Sequence, residues 1–301
     1  MKSIVSYPNR GNYGNSRWRG NTSGHLIKEL IQFASLNTKT NMNNFLFVDA
    51  CEGSGTSGDV CKELNCQYVG LDLHKGNDFT KDSILTSLPR EADTVFTHPP
   101  YAEMVQYSGK QYGNEIIKSD LSNPNISKEE FLEKSQLMLL NQRDATREGG
   151  LYSTLIGDMR KKGQFWSFQA DYQNMMPKDE LISVVIKMQH NCMSDGRTYG
   201  GSFIPILHEY LLIWKKRQAS LFQIAWDKAV ETKRQLASTW RNAIRIALMK
   251  LNGKGSLKDI YAEVEKVGAH LIAKNNHWQA KIRQQLQIHF QNVERGVWAT
   301  R

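Results

Sequence analysis

Pro99-Pro100 restricts the local geometry of this chain more than any other pair of residues. The pair stands one residue beyond the apolar run Thr94-Val95-Phe96-Thr97. Proline has no backbone donor and a fixed φ, so neither a sheet ladder nor a helix can continue through both positions. The run therefore predicts a buried strand that stops at a rigid corner, with His98 ahead of the prolines and Tyr101 behind them. Upstream, a second apolar run, Phe45-Leu46-Phe47-Val48-Asp49, opens into the glycine turn Gly53-Ser54-Gly55-Thr56-Ser57-Gly58. The corner can hold a flat heterocycle and offer it a main-chain carbonyl. The turn lets a backbone come close to a bound cofactor.

Between and beyond these points, strand and helix patterns alternate. Strands are expected at about 45–50, 68–73, 94–98, 151–156, 181–188 and 209–215, with helices at about 24–36, 57–65, 128–147 and 164–175. Thr22 and Ser23 are the expected N-caps of the first helix. Such alternation predicts a parallel, doubly wound α/β sheet that binds ligands beyond the carboxyl ends of its strands. Two long polar stretches, Tyr101 to Lys128 and Gln189 to Pro205, are expected to reach the same edge and touch substrate or act as a lid.

After residue 217 the pattern becomes helical, with expected helices at 219–235, 239–251, 256–267 and 278–289 and a hairpin at 290–298. Three helices followed by a β-wing is the layout of a winged helix. The expected division is therefore 1–217 and 218–301. The net charge of +9 follows that division: residues 218–301 hold 14 Lys and Arg against 6 Asp and Glu, and residues 1–217 hold 25 against 24. A basic module beside a nearly neutral one suits a polyanion, with Asn276, His277, Lys281, Arg283 and Arg295 as the side chains expected to reach bases or phosphates. Arg160, in the charged run after the strand at 151–156, is a further expected backbone contact.

With 40% apolar residues among 301, the chain can bury a substantial core, and no apolar stretch is long enough to span a membrane. The first residues lack the apolar stretch of a signal peptide, so a cytoplasmic location is expected. Cys51, Cys61, Cys66 and Cys192 show no paired metal spacing and read as free thiols; no metal is expected.

Gly53-x-Gly55-x-x-Gly58, followed by Asp72 after the next strand, matches a dinucleotide fingerprint, but the same geometry serves several nucleoside cofactors. The corner separates them. Together, Val48-Asp49-Ala50-Cys51-Glu52-Gly53-Ser54-Gly55-Thr56 and His98-Pro99-Pro100-Tyr101 resemble the motifs of the S-adenosylmethionine-dependent amino-group DNA methyltransferases over about residues 10–217. The resemblance implies a Rossmann-like sheet with helices on both faces, plus the C-terminal winged-helix module for target recognition. It implies S-adenosyl-L-methionine as cofactor, held by Thr22, Ser23, Asp49, Cys51, Gly53, Gly55, Asp72, Phe79 and Asp82. The segment Trp18 to Gly24 resembles the part that closes over the methionine end, and His208 to Lys215 a late sheet strand.

The corner His98, Pro99, Pro100 and Tyr101 is then catalytic. In the family, a side-chain oxygen and the first proline's carbonyl accept the hydrogens of an exocyclic amine, and the aromatic residue stacks on a base flipped out of double-stranded DNA. This chain carries histidine at the first position. A neutral imidazole offers one acceptor nitrogen and, with an ordinary pKa of about 6.5, can take up the released proton. Adenine N6 in DNA is the leading target. Cytosine N4, RNA, and a degenerate methyltransferase fold that binds DNA without chemistry stay open.

Overall fold

The computed structural model describes residues 1–190, 201–217 and 240–300. The helix expected at 219–235 lies outside the described residues. The chain divides into two compact units, Met1–Gln173 with Leu181–Lys216, and Asn174–Glu180 with Arg217–Arg301.

In the first unit, β1 (Ile4–Ser6), α1 (Gly24–Thr38), β2 (Leu46–Asp49), α2 (Thr56–Leu64), β3 (Gln67–Gly70) and β4 (Ala92–Thr97) come first. They are followed by α3 (Lys128–Ala145), β5 (Thr146–Ile156), the hairpin β6 (Met159–Lys161) and β7 (Gln164–Trp166), α4 (Phe168–Met175), β8 (Leu181–Met188) and β9 (His208–Lys215). Seven strands form one sheet in the order β1-β8-β9-β5-β4-β2-β3. The fold is a Rossmann-like α/β sheet.

The sheet is mixed, which corrects the expectation of an all-parallel one. β9 runs antiparallel to both neighbours, pairing Tyr152 with Trp214 on one side and Ile186 with Tyr210 on the other. Two other expectations shift for local reasons. The helix expected from 164 begins at Phe168, because Lys162 and Gly163 take left-handed backbone and fold residues 159–166 into a hairpin. The strand expected to reach 73 ends at Gly70, and Asp72 instead caps a short turn by accepting from the His74 amide.

The core follows from burial on both faces. α1 buries Leu26, Ile27, Leu30, Ile31 and Ala34 against Phe47, Phe96, Leu151 and Leu155 of the sheet, and Ser23 caps it by accepting from the His25 amide. On the other face Leu46, Val48, Val95 and Ala145 form a second cluster. Asp93, 2% exposed, ties the amino ends of β2, β4 and β5 by accepting from the Leu46 amide, Arg90, Arg147 and Thr40. With that edge fixed, the carboxyl ends of β2, β3 and β4 open side by side.

The second unit contains α5 (Trp240–Lys250), β10 (Lys254–Ser256), α6 (Leu257–Val267), the short α7 (Ala269–Ile272), α8 (Trp278–His289), β11 (Gln291–Glu294) and β12 (Val297–Ala299). β12 lies between β10 and β11, antiparallel to both. Ile244, Ala247, Leu248, Ile260, Val264, Ile282 and Leu286 are buried. Among the described residues no helix is long and apolar enough to cross a membrane.

Candidate active site

A cleft of about 770 Å³, counting the part open to solvent, lies beyond Asp49, Gly70 and Thr97 at the strand ends. Its floor is the glycine turn. Gly53 and Gly55 have φ of +53° and +87°, a region that strains any side chain, and Gly55 starts α2. Gly58, the third glycine, serves packing: a Cβ there would stand 3.0 Å from the Tyr68 ring. The turn is clamped by Asp72, whose Oδ2 accepts from the Gly53 amide at 2.8 Å while Oδ1 pairs with His74 Nδ1 at 2.7 Å.

Asp49 is buried at the end of β2. Its oxygens accept from Ser57 Oγ at 2.5 Å and from the Cys51 amide at 3.0 Å. Burial nonetheless pushes its carboxyl up to about 7. Burial also pushes the Cys51 thiol well up, which keeps it a protonated packing group. Asp78, on the same wall, is likewise desolvated, but bonds from Ser119, Thr80 and Lys81 outweigh this and hold it below the usual carboxylate range.

The charge of the wall is one-sided. Asp49, Glu52, Asp72, Asp78 and Asp120 line it, and among the described residues no lysine or arginine does, although Lys75 pairs with Glu52 and Lys81 with Asp78 from outside the lining. Trp18 covers it, stacked on Tyr112 with rings 9° from parallel and tilted over His74 at 5.0 Å, with Tyr107 beside them. Thr22 Oγ1 is buried at this wall without a hydrogen-bond partner among the described residues.

The expected cofactor residues Thr22, Asp49, Cys51, Gly53, Asp72 and Phe79 all line the cleft. Ser23 does not; its hydroxyl caps α1. Gly55 lies behind the wall as the α2 N-cap. Asp82 lies in an adjoining cavity of about 230 Å³ that shares Phe79 with the cleft. Asn141 of α3 positions this wall by donating to the carbonyls of Phe79 and Asp82 and accepting from the Ile84 amide.

At the corner, His98 and Pro100 face the cleft, and Phe96 and Leu121 complete its apolar side. Pro99 is not on the lining. Tyr101, expected to stack on a base, is 9% exposed and stands outside the wall. Its ring packs so closely on Gly157 that a Cβ there would come within 2.8 Å. Its hydroxyl donates to Glu209 Oε1 at 2.7 Å and lies 2.8 Å from His98 Nε2. Beneath the corner, Thr97, Gln142 and Thr154 form a buried hydrogen-bonded set that holds the end of β4.

Sequence reasoning missed Glu209 and Lys187 as site residues, and it did not single out Tyr107, Tyr112 and Asp120 within the long stretch 101–128. That stretch does reach the cleft, as expected. Asp120 folds it by accepting from the amides of Ser108 and Ser122. Of the expected nucleic-acid contacts, Arg160 stands over the exposed Phe165 and Phe203 rings and donates to the Ile204 carbonyl. In the second unit Asn276, His277, Arg283 and Arg295 are exposed; Lys281 bonds Gln284 and Arg283 bonds the Tyr261 hydroxyl.

No family model and no curated protein matches the sequence. Among solved structures, the chain is similar to a Thermus thermophilus protein described as a candidate DNA modification methylase, at 15% identity and a TM-score of 0.31. The match covers 67% of this chain and 62% of that one. It is also similar to an Archaeoglobus fulgidus S-adenosylmethionine-dependent methyltransferase (12% identity, 65% and 95% coverage, TM-score 0.33). A Streptococcus thermophilus rRNA methylase matches at 12% identity, 62% and 95% coverage and a TM-score of 0.30. Likenesses at this level carry no functional argument, so the fold reading rests on the strand order and the site reading on its geometry.

Proposed function

We propose that the protein is an S-adenosylmethionine-dependent methyltransferase that acts on the exocyclic amino group of a nucleobase, with N6 of adenine in double-stranded DNA as the first target. The observation that carries this reading is the charge of the cleft. Lys75 and Lys81 pair with two of the five carboxylates, Glu52 and Asp78, and the other three, Asp49, Asp72 and Asp120, suit a cation beside a glycine turn, whereas a dinucleotide pyrophosphate would meet repulsion there. The residues fit the cofactor in two further respects. Asp72 stands at the end of β3 where ribose hydroxyls find an acceptor, and Thr22 Oγ1 lacks a partner among the described residues.

When bound, the cofactor supplies an electrophilic methyl group on sulfur. The chain's own residues do the rest. Asp49, Asp72 and Asp120 favour the positive charge electrostatically, and Trp18 excludes water and offers a π face to it. The corner addresses the base. An amine conjugated with a heterocycle is a poor nucleophile, and acceptors for both N–H groups favour a pyramidal nitrogen. His98, which faces the cleft, takes one hydrogen, at a position set by the two prolines that follow it without entropic cost at each turnover. The base reaches the cleft by flipping, which costs a few kcal/mol. The basic C-terminal stretch, residues 218–301, works as a winged-helix module that grips the nucleic acid with Asn276, His277, Lys281, Arg283 and Arg295, while Arg160 contacts its backbone.

The test is direct. Purified protein is incubated with labelled S-adenosylmethionine and unmethylated plasmid or ribosomal RNA, and the polymer is digested to nucleosides. Label in N6-methyl-2′-deoxyadenosine from DNA supports the reading. Label in N4-methyl-2′-deoxycytidine or in RNA alone moves the target, and no label with cofactor still bound refutes catalysis.

A further inference from the structure

A neutral imidazole has one donor and one acceptor nitrogen, and its neighbours decide which is which. Around His98 those neighbours form a chain. Nε2 lies 2.8 Å from the Tyr101 hydroxyl, and that hydroxyl lies 2.7 Å from Glu209 Oε1. Lys187 Nζ donates to the other Glu209 oxygen at 2.5 Å. Burial by itself pushes the Glu209 carboxyl up, but its bonded neighbours, the Lys187 ammonium first among them, outweigh it and hold the group well below the usual carboxylate range. Glu209 is therefore an ionised acceptor with no hydrogen to give. Burial, and then the Glu209 charge, push the Tyr101 hydroxyl far above its ordinary value, so it keeps its one hydrogen. That hydrogen goes to Glu209, and only lone pairs of the phenol oxygen are left to face His98.

From this geometry we infer that Tyr101 and Glu209 are positioning residues that fix His98 as the Nε2–H tautomer and leave Nδ1 as its acceptor. The tautomer is a property of the ligand-free protein; only what Nδ1 accepts rests on the methyl-transfer reading. In that reaction the amine nitrogen forms a bond to the methyl carbon as the carbon–sulfur bond breaks. One amine proton passes to His98 Nδ1, and the resulting imidazolium faces the Glu209 charge 3.8 Å from Nε2. The aromatic residue of the corner then serves through its hydroxyl and not as a stacking face. Its burial against Gly157 and its place outside the cleft wall agree with that use.

The test uses the full chain labelled with 15N-histidine and two-dimensional NMR at pH 8, with His98 assigned from the spectrum of His98→Asn. In the wild type, Nε2 should resonate in the protonated range and Nδ1 in the unprotonated range. Tyr101→Phe keeps the ring and removes only the oxygen, so it should move both nitrogens towards a mixture of tautomers. It should also lower kcat by roughly tenfold or more, with cofactor affinity unchanged. An unprotonated Nε2 in the wild type overturns the inference, as does a Tyr101→Phe protein with wild-type nitrogen shifts and wild-type kcat. If the wild type methylates nothing, the methyl-transfer reading falls while the spectra still decide the tautomer.

Discussion

Cofactor affinity should depend on pH through Asp49. Burial at the end of β2 pushes this carboxyl up to about 7, against the opposing bonds from Ser57 and Cys51. With a value near 7, about nine molecules in ten are ionised at pH 8 and about one in ten at pH 6. A cation in the cleft that Asp49 lines favours the ionised form, so at pH 6 binding must expel a proton that at pH 8 is already gone. Affinity scales with the binding-competent fraction, which gives about a tenfold loss from pH 8 to pH 6, or about 1.4 kcal/mol. Calorimetric titration with S-adenosylmethionine measures this. Repeating it in two buffers of different ionisation heat should show about one proton released at pH 6 and almost none at pH 8. Asp49→Asn, which keeps a carbonyl acceptor for the Cys51 amide, should flatten the profile. Equal wild-type affinity at both pH values, or a slope that survives in Asp49→Asn, refutes the reasoning. For the stability of the ligand-free protein the sign is opposite. A raised folded-state value means that the stabilising contribution of protonated Asp49 is complete below about pH 4 and is lost as pH rises through about 7.

Trp18→Ala removes the stacked cover over the cleft and should weaken cofactor binding by about 1 kcal/mol, or roughly fivefold, in the same calorimetry. Gly157→Ala places a methyl group 2.8 Å from the Tyr101 ring. It should cost about 1–3 kcal/mol in urea unfolding and move the tyrosine hydroxyl from Glu209, so methyl transfer falls with it. Asp93→Asn breaks the pairs to Arg90 and Arg147, and should lower unfolding stability by about 3 kcal/mol without changing cofactor affinity. Replacing Lys281, Arg283 and Arg295 together by alanine should lessen the slope of log affinity against log salt, read by fluorescence anisotropy on a DNA duplex. The change should be about 0.9 for each phosphate that the variant no longer neutralises.

Local chemistry made much of the fold legible. The glycine turn, the Pro-Pro corner and the periodicity of Leu26, Ile27, Leu30, Ile31 and Ala34 all act within a few residues, and their elements stand close to where the sequence places them. What pairing over distance decides was hidden. Three residues, Ile4–Ser6, join the sheet only because β8 offers an edge. The run before Phe168 reads as helix until Lys162 and Gly163 turn it back on itself. The antiparallel sense of β9 is set by the sheet and not by its own residues. In the site, Asp72 was legible from its spacing after Gly53, whereas the cover formed by Trp18 and Tyr112 joins segments nearly a hundred residues apart. Glu209 does leave a signal in the sequence: an acid inside the apolar strand His208–Lys215 is costly unless paired, and Lys187 and Tyr101 are its pairs.

The placing of β9 has a consequence for how the chain assembles during synthesis. This strand is the last of the sheet to leave the ribosome, yet it fills an interior slot between β5 and β8. Until it arrives, β8 has no neighbour linking it to the rest, and Ile4–Ser6, made long before β8, can only dock on β8. The nascent protein must therefore keep β1 waiting while some two hundred residues are translated, with the edge of β5 unpaired. Completion of the sheet closes in one late step, and a chain cut short before His208 would leave that edge open to other chains.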